Sequence, residues 1–328
     1  MEENAIHSWR RIILAATMLA LAAWGALLAS AESKISVIGN DFWKHWGDGK
    51  AELAGYDLTY PRYGHERKGT AVAIFVTETF SNSARVKADP GKHPASDEFP
   101  VMKLNLIQDF ATGIYDYNLM TSVFVALQPV NGRPIGAPTK VTFSSQEWCG
   151  QVYHQLLFYQ KAVRETSHSY FDGEADRDQT FKYPADGISE DALLLWARGL
   201  AAPALQPGES IEVPILRSVE FARQRHLPVG WSQAILSRSE KKEPITLPAG
   251  TFEAETLSVE IAAIEGRRVW IFHVESAYPH RILKWETDDG LKAELLASDR
   301  LQYWKMNGPD FAAAVEKLGL SPRPARTP

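Results

Sequence analysis

Residues 70–80 set the first constraint on this chain. Val72, Ile74 and Val76 fall on one face of an extended backbone and Ala73 and Phe75 on the other, an alternation of period two that suits a strand and not a helix. Because both faces are apolar, the run belongs inside a sheet rather than at its edge. Tyr56, Leu58 and Tyr60 alternate in the same way up to Pro61. Residues 101–107, 121–127, 139–145 and 151–159 have similar character, and turns such as Gln128-Pro129-Val130-Asn131-Gly132 separate them. Runs joined by turns this short pair antiparallel, since a parallel crossover needs a dozen residues or more. The sequence therefore predicts an antiparallel meander.

The period changes at Ser189, a helix-capping residue with Glu190 and Asp191 behind it. Acidic side chains in a first turn complement the helix dipole, so a Leu-rich helix is expected over 192–198, ending at Gly199. Strands are predicted again at 211–216, 256–262, 268–275, 281–286 and 292–296, with a hairpin turn around Glu265-Gly266. An amphipathic helix over 310–318 precedes a Pro/Arg tail, 321–328, whose composition predicts disorder.

At the N-terminus, Arg10 and Arg11 precede an apolar run over 12–28 that closes on Ala29-Ser30-Ala31. This order of charge, apolar core and small residues is that of a secretion signal. The run is long for a signal and short for a spanning helix, so residues 1–31 read as a signal peptide or as an uncleaved membrane anchor. Either way the expected address is outside the cytoplasm: periplasmic, or anchored at the inner membrane and facing the periplasm. The domain boundaries that follow are 32–306 for the β domain, 307–320 for the C-terminal helix and 321–328 for the tail. The one cysteine, Cys149, rules out an intramolecular disulfide, so packing alone holds the fold. A net charge of −5 without a long basic stretch lacks the footprint that phosphate backbones demand, so nucleic acid is not an expected partner.

Two stretches carry a family resemblance. Tyr60-Pro61-Arg62-Tyr63-Gly64, Phe75-Val76-Thr77-Glu78, Lys103-Leu104-Asn105, Thr112-Gly113-Ile114-Tyr115-Asp116-Tyr117 and Gln146-Glu147-Trp148-Cys149-Gly150 resemble a family of exported bacterial proteins with no assigned activity. In the second half, the Leu-rich helix, Gly208, Leu247-Pro248-Ala249-Gly250-Thr251-Phe252 and Tyr278-Pro279-His280-Arg281-Ile282 repeat the order of parts in a periplasmic domain-of-unknown-function family. That family looks like the open half-barrel of the bacterial lipoprotein carriers. The resemblance implies a mainly β fold: a single strongly curved antiparallel sheet, an open half-barrel with a few helices on its concave face or ends. It implies no functional residues.

Candidate chemistry is read from the residues alone. Cys149 has Glu147 and His154 near it in sequence, and a thiol nucleophile needs a base. Residues five apart on a strand face opposite ways, so a buried Cys packing as a small hydrophobe is the favoured reading. Arg62, Glu78, Lys103, Asn105, Gln146 and Glu147 sit within or at the ends of apolar strands, where a charge needs a partner or a cavity. With Trp148 and Cys149 they form the expected ligand-binding set, weighed against a structural ion-pair network. Asp172, Glu174, Asp176 and Asp178 read as a solvated hairpin tip rather than a calcium loop. No His pair has metal-ligand spacing, and no metal or cofactor is expected. Ten Trp and eleven Tyr exceed what a small core needs; most are expected in the core, and a concave sheet lined by such side chains would suit an apolar or amphiphilic ligand. The expected function is a non-enzymatic envelope protein holding such a lipid-like molecule. The alternatives are an envelope hydrolase or transferase using Cys149, and a scaffold anchored at the inner membrane.

Overall fold

Thirteen residue pairs zip β2 (His65–Ser81) to β3 (Glu98–Thr112), from Gly69 opposite Phe110 to Ser81 opposite Glu98, and the run at 70–80 lies inside this pairing. The computed structural model describes residues 38, 40–263 and 266–322. The signal or anchor expected over 1–31, the turn at Glu265 and most of the expected tail lie outside the described residues. Everything below concerns the compact unit Gly39–Pro328.

The first half of the unit is a meander. β1 (Ala51–Arg62), β2 and β3 lead into β4 (Tyr115–Ala126), β5 (Pro138–Glu147), β6 (Gly150–Phe158), β7 (Ala162–Ser169) and β8 (Arg177–Lys182), each antiparallel to the last. After the two-residue β9 (Ile188–Ser189) and the helical stretch 190–197, the second half continues with β10 (Ser210–Leu216), β11 (Trp231–Leu247) and β12 (Gly250–Ala263). β13 (Gly266–Glu275), β14 (Ile282–Thr287) and β15 (Lys292–Leu301) complete it. β15 then pairs with β1, joining the halves into one 15-stranded sheet with β8 and β9 at its edges. The β9–β10 contact is parallel, the exception to an otherwise antiparallel ladder.

Topology forces this sheet to curl. Laid flat, fifteen strands would hold the edges roughly 65–70 Å apart at about 4.8 Å per strand. The connection 183–187 between the edge strands spans at most about 20 Å. The edges therefore come round toward one another, and Trp231 marks the seam by donating from its indole to the Lys182 carbonyl at 3.0 Å and stacking on Tyr183. No ladder joins β8 to β9, so the barrel stays open. Bulges at Gly55/Tyr56, Phe124/Val125 and Arg238/Lys242 add the local bend that such curvature needs.

Alternation sorts the side chains. On β1, Glu52, Tyr56, Leu58 and Tyr60 face inward with Phe75, Leu104 and Val123 of the neighbouring strands, and all are buried. The Leu-rich helix Leu193–Ala197 fills much of this interior, every residue buried. Ala51, Leu53 and Val76 point the other way and pack under Leu318. The terminal segment expected as an amphipathic helix is a 3-10 helix, Pro309–Leu318, and it lies on this outer face, where Gly55 leaves room for the Leu318 carbonyl.

Several strands were not legible. β7, β8 and β11 carry polar or charged side chains at most positions, so their alternation is too polar to register as apolar periodicity. The helix Val219–Arg225 was also missed, although Ser218 caps it by accepting from the Phe221 amide at 3.3 Å.

Candidate functional site

The interior is not solid. At the end where the turns β1–β2 and β14–β15 lie, a cavity of about 600 Å³ remains, lined by Tyr60, Arg62, Leu106, Gln108, Leu193, Leu194, Trp270 and Trp285 among others. Besides Glu66 and Asp289 near the two turns, three carboxylates line it from helical segments: Glu190 and Asp191 from the start of the Leu-rich helical stretch, and Glu220 from the helix Val219–Arg225.

Each carboxylate has its own partners. Glu190 accepts from Arg268 Nη1 at 2.5 Å, from the Trp270 indole at 2.9 Å and, on its other oxygen, from the Ser218 amide at 2.8 Å. Asp191 accepts from the Ser218 hydroxyl at 2.7 Å and the Val219 amide at 3.3 Å. Tyr60 donates to Glu220 at 2.8 Å and Thr121 does so at 3.4 Å. These contacts tie both helical segments to β1, β4 and β13, and so fix the cavity wall.

Burial drives the Asp191 carboxyl up to about 7; the Ser218 hydroxyl opposes the rise and the neighbouring Glu190 and Glu220 charges add to it. Burial likewise raises Glu220, against hydrogen bonds from Tyr60, Thr121 and Gln108 and the charge of Arg268. A carboxyl poised near neutrality is what acid–base catalysis uses; beside it the Ser218 hydroxyl donates to Asp191 and accepts as a helix cap.

Other polar groups are left over. Arg268 is held between the rings of Phe221 and Trp270, at 3.9 and 4.9 Å, and its Nε finds no partner among the described residues. The same holds for Arg62 Nε and for the side-chain amide oxygens of Gln108 and Gln224. Gln108 is 1% exposed, and a buried acceptor left unpaired costs about 1–3 kcal/mol. The side chains that carry these buried atoms line the cavity beside an apolar wall of Leu106, Leu193, Leu194, Trp285 and Leu291.

The residues expected from sequence divide among three places. Arg62 borders the cavity, donating to the Gln224 carbonyl and to the hydroxyls of Tyr63 and Tyr117, each at 3.2 Å. Glu147 lies on the inward face of β5, close enough to add its charge to those acting on Tyr117 and Arg223. Glu78, Lys103 and Asn105 project from the opposite face of the sheet, where Lys103 meets Glu78 at 3.2 Å. Gln146, Trp148 and Cys149 stand exposed at the β5–β6 turn. The expectation of a buried Cys149 is corrected: the thiol is exposed, and the Glu147 charge beside it raises its pKa. His154 is buried elsewhere, 2.8 Å from Glu165. Among the acidic residues of 172–178, Glu174 is not simply a solvated tip, since it binds His226 at 2.6 Å and Arg223 at 3.4 Å.

Sequence reading missed the cavity set. In sequence Glu190 and Asp191 read as helix-dipole partners, and Glu220 and Arg268 carry no local signal. The available signal was a pair of adjacent carboxylates leading into a run as apolar as Ala192 to Trp196, which places charge where burial is expected. Among the described residues no group of three His, Cys, Asp or Glu side chains is arranged to hold a metal, and no helix is long and apolar enough to cross a membrane.

By its own architecture the chain is a barrel-like protein built on one open, curved sheet. No family model and no curated protein matches it. Among solved structures it is similar to the crystal structure of a beta-barrel-like protein of domain of unknown function DUF1849 from Brucella abortus. The identity is 10% and the TM-score 0.47, over 77% of this chain and 98% of the other. A likeness at this level bears on neither activity nor ligand.

Proposed function

We propose that this protein is a non-enzymatic binding protein of the bacterial envelope that holds an amphiphilic, lipid-like molecule in the cavity at the hairpin end of its sheet. One observation carries the reading: a space of about 600 Å³ in which an apolar wall faces polar and charged side chains, Arg62, Gln108 and Arg268 among them. Sites for small molecules have this size and this mix of many apolar contacts with few directed polar ones. An amphiphile satisfies both, its chain against the leucines and Trp285, its head group toward the guanidinium groups of Arg62 and Arg268. The N-terminal order of Arg10-Arg11, apolar run and Ala29-Ser30-Ala31 supports export to the compartment where such molecules are carried.

The Cys149 reading draws no such support. Its thiol stands outside the cavity, and the Glu147 charge disfavours the thiolate that a nucleophile requires.

The test is to purify the protein without detergent, extract it with organic solvent and identify what is released by mass spectrometry, then titrate the stripped protein with a fluorescent fatty-acid probe. The Leu194→Trp variant, which fills the cavity, should fold and lose at least about tenfold in probe affinity. An empty preparation with no probe binding overturns the proposal, as does probe affinity that L194W leaves unchanged.

A further inference from the structure

Four successive hairpin turns at the cavity end each present one large apolar side chain to solvent: Tyr63 in β1–β2, Ile114 in β3–β4, Trp148 in β5–β6 and Tyr170 in β7–β8. At 55%, 83%, 71% and 70% exposure they are the four most exposed large hydrophobic residues among those described. Single exposed apolar residues are common on any surface; four on neighbouring tips of one barrel end are not.

Contacts link three of the four, Tyr63, Trp148 and Tyr170. The Tyr63 and Tyr117 hydroxyls lie 2.7 Å apart, Tyr117 packs near Tyr115, and Tyr115 packs on Trp148 with ring centres 5.9 Å apart. One residue beyond the Trp148-Cys149 turn, Gly150 leaves the space that the Tyr170 ring occupies. Tyr63 is at once part of this rim and part of the cavity lining.

We propose that this rim docks the cavity mouth onto the surface of a lipid bilayer. The inference rests on the cavity reading above, because a lipid surface is where an amphiphile enters or leaves. Trp and Tyr are the residues that settle at the membrane–water interface, with an apolar body and a polar edge. Carried on separate turn tips rather than on a flat face, they fit a fluid layer that closes around each one. Charge selects the kind of surface. Glu66, Asp116, Asp172 and Asp176 are exposed on the same turns against His65 and Lys68, so acid is in excess and attraction to anionic lipid is not the driving force. The rim suits a zwitterionic surface, and its binding should be nearly insensitive to salt.

Cys149 supplies the probe, since it is the only cysteine, exposed, and next to Trp148. The full-length protein is labelled there with an environment-sensitive fluorophore and mixed with phosphatidylcholine vesicles, with and without quencher-bearing lipid. The label is the readout because the apolar run 12–28 can itself bring the chain down with vesicles. The emission should move to shorter wavelength and be quenched. In Ile114→Ser/Trp148→Ser carrying the same label, both responses should need at least about tenfold more lipid, while circular dichroism and Tm stay unchanged. A label that vesicles leave unmoved overturns docking, as does an equal response from the double variant. So does a blue-shifted label without vesicles in a wild-type dimer that the variant converts to a monomer, which assigns the rim to a second copy. The two readings fail separately: wild-type protein that docks but carries no amphiphile and binds no fatty-acid probe sinks the cavity reading alone, loaded wild-type protein that does not dock sinks this one, and Leu194→Trp, altered in the cavity and not on the rim, should still dock.

Discussion

Arg198, one residue past the Leu-rich helix, forks onto Glu52 of β1, with Nη1 to Oε1 at 2.7 Å and Nη2 to Oε2 at 3.1 Å. Both side chains are almost wholly buried. Arg198 also donates to the Pro279 and His280 carbonyls, each at 3.0 Å, and lies over the Phe75 ring. One guanidinium thereby fastens the helix that fills the barrel to two strands and a loop. Burial by itself would raise the Glu52 carboxyl, but Arg198 and His45 hold it down at about 2.

Breaking that pair leaves a charge stranded in the interior. Arg198→Met should cost about 3–5 kcal/mol in urea unfolding, and adding Glu52→Gln should recover part of the loss, because the uncompensated carboxylate is then gone. Equal stability of the single variant and wild type would show that the pair does not hold the helix.

Two buried carboxyls give the pH profile opposite slopes. Glu52 has a folded pKa near 2 against 4.5 in the free chain, so its contribution is present above about 4.5 and is lost as pH falls toward 2. Asp191 runs the other way. Its folded pKa near 7 lies above the free value of 3.8, so the stability it lends at low pH is lost as pH rises from about 4 to about 7. Asp191→Asn should flatten that decline, worth of order 2–3 kcal/mol once screening by water in the cavity is allowed for. Thermal melts at pH 4.5 and 7.5 measure it: the Tm difference between these pH values should shrink in the variant.

The outer face depends on one missing methyl. A Cβ at Gly55 would collide with the Leu318 carbonyl, so Gly55→Ala must shift the terminal 3-10 helix off Ala51, Leu53 and Val76. The expected cost is about 1–3 kcal/mol, with faster protease cleavage near residues 309–318. Unchanged proteolysis would mean that the helix tolerates the displacement.

Cys149 should react with Ellman's reagent in the folded protein, since it is exposed, and more slowly at pH 8 than a free thiol, since the Glu147 charge disfavours the thiolate. Glu147→Gln should raise the rate about threefold or more without altering Tm. A rate that E147Q leaves unchanged would remove Glu147 as the cause.

What could be read before any coordinates were local. Period-two alternation placed the strands at 70–80, 101–107 and 121–127, Gly and Pro placed their turns, and the acidic start of a leucine run placed the helix at 192–198. Each is set by contacts between residues close in sequence. Alternation says that a strand has two faces but not which one is inside. Arg62 and Glu147 therefore turned inward while Glu78, Lys103 and Asn105, from the same expected set, turned outward. The cavity needed still more. Glu190 meets Arg268 seventy-eight positions away, and Glu220 meets Tyr60 across 160. The pairing of β1 with β15 and the curl imposed by the 183–187 connection bring them together. Burial then decides which charges must find each other, because only in the interior is an unpaired one too costly to keep.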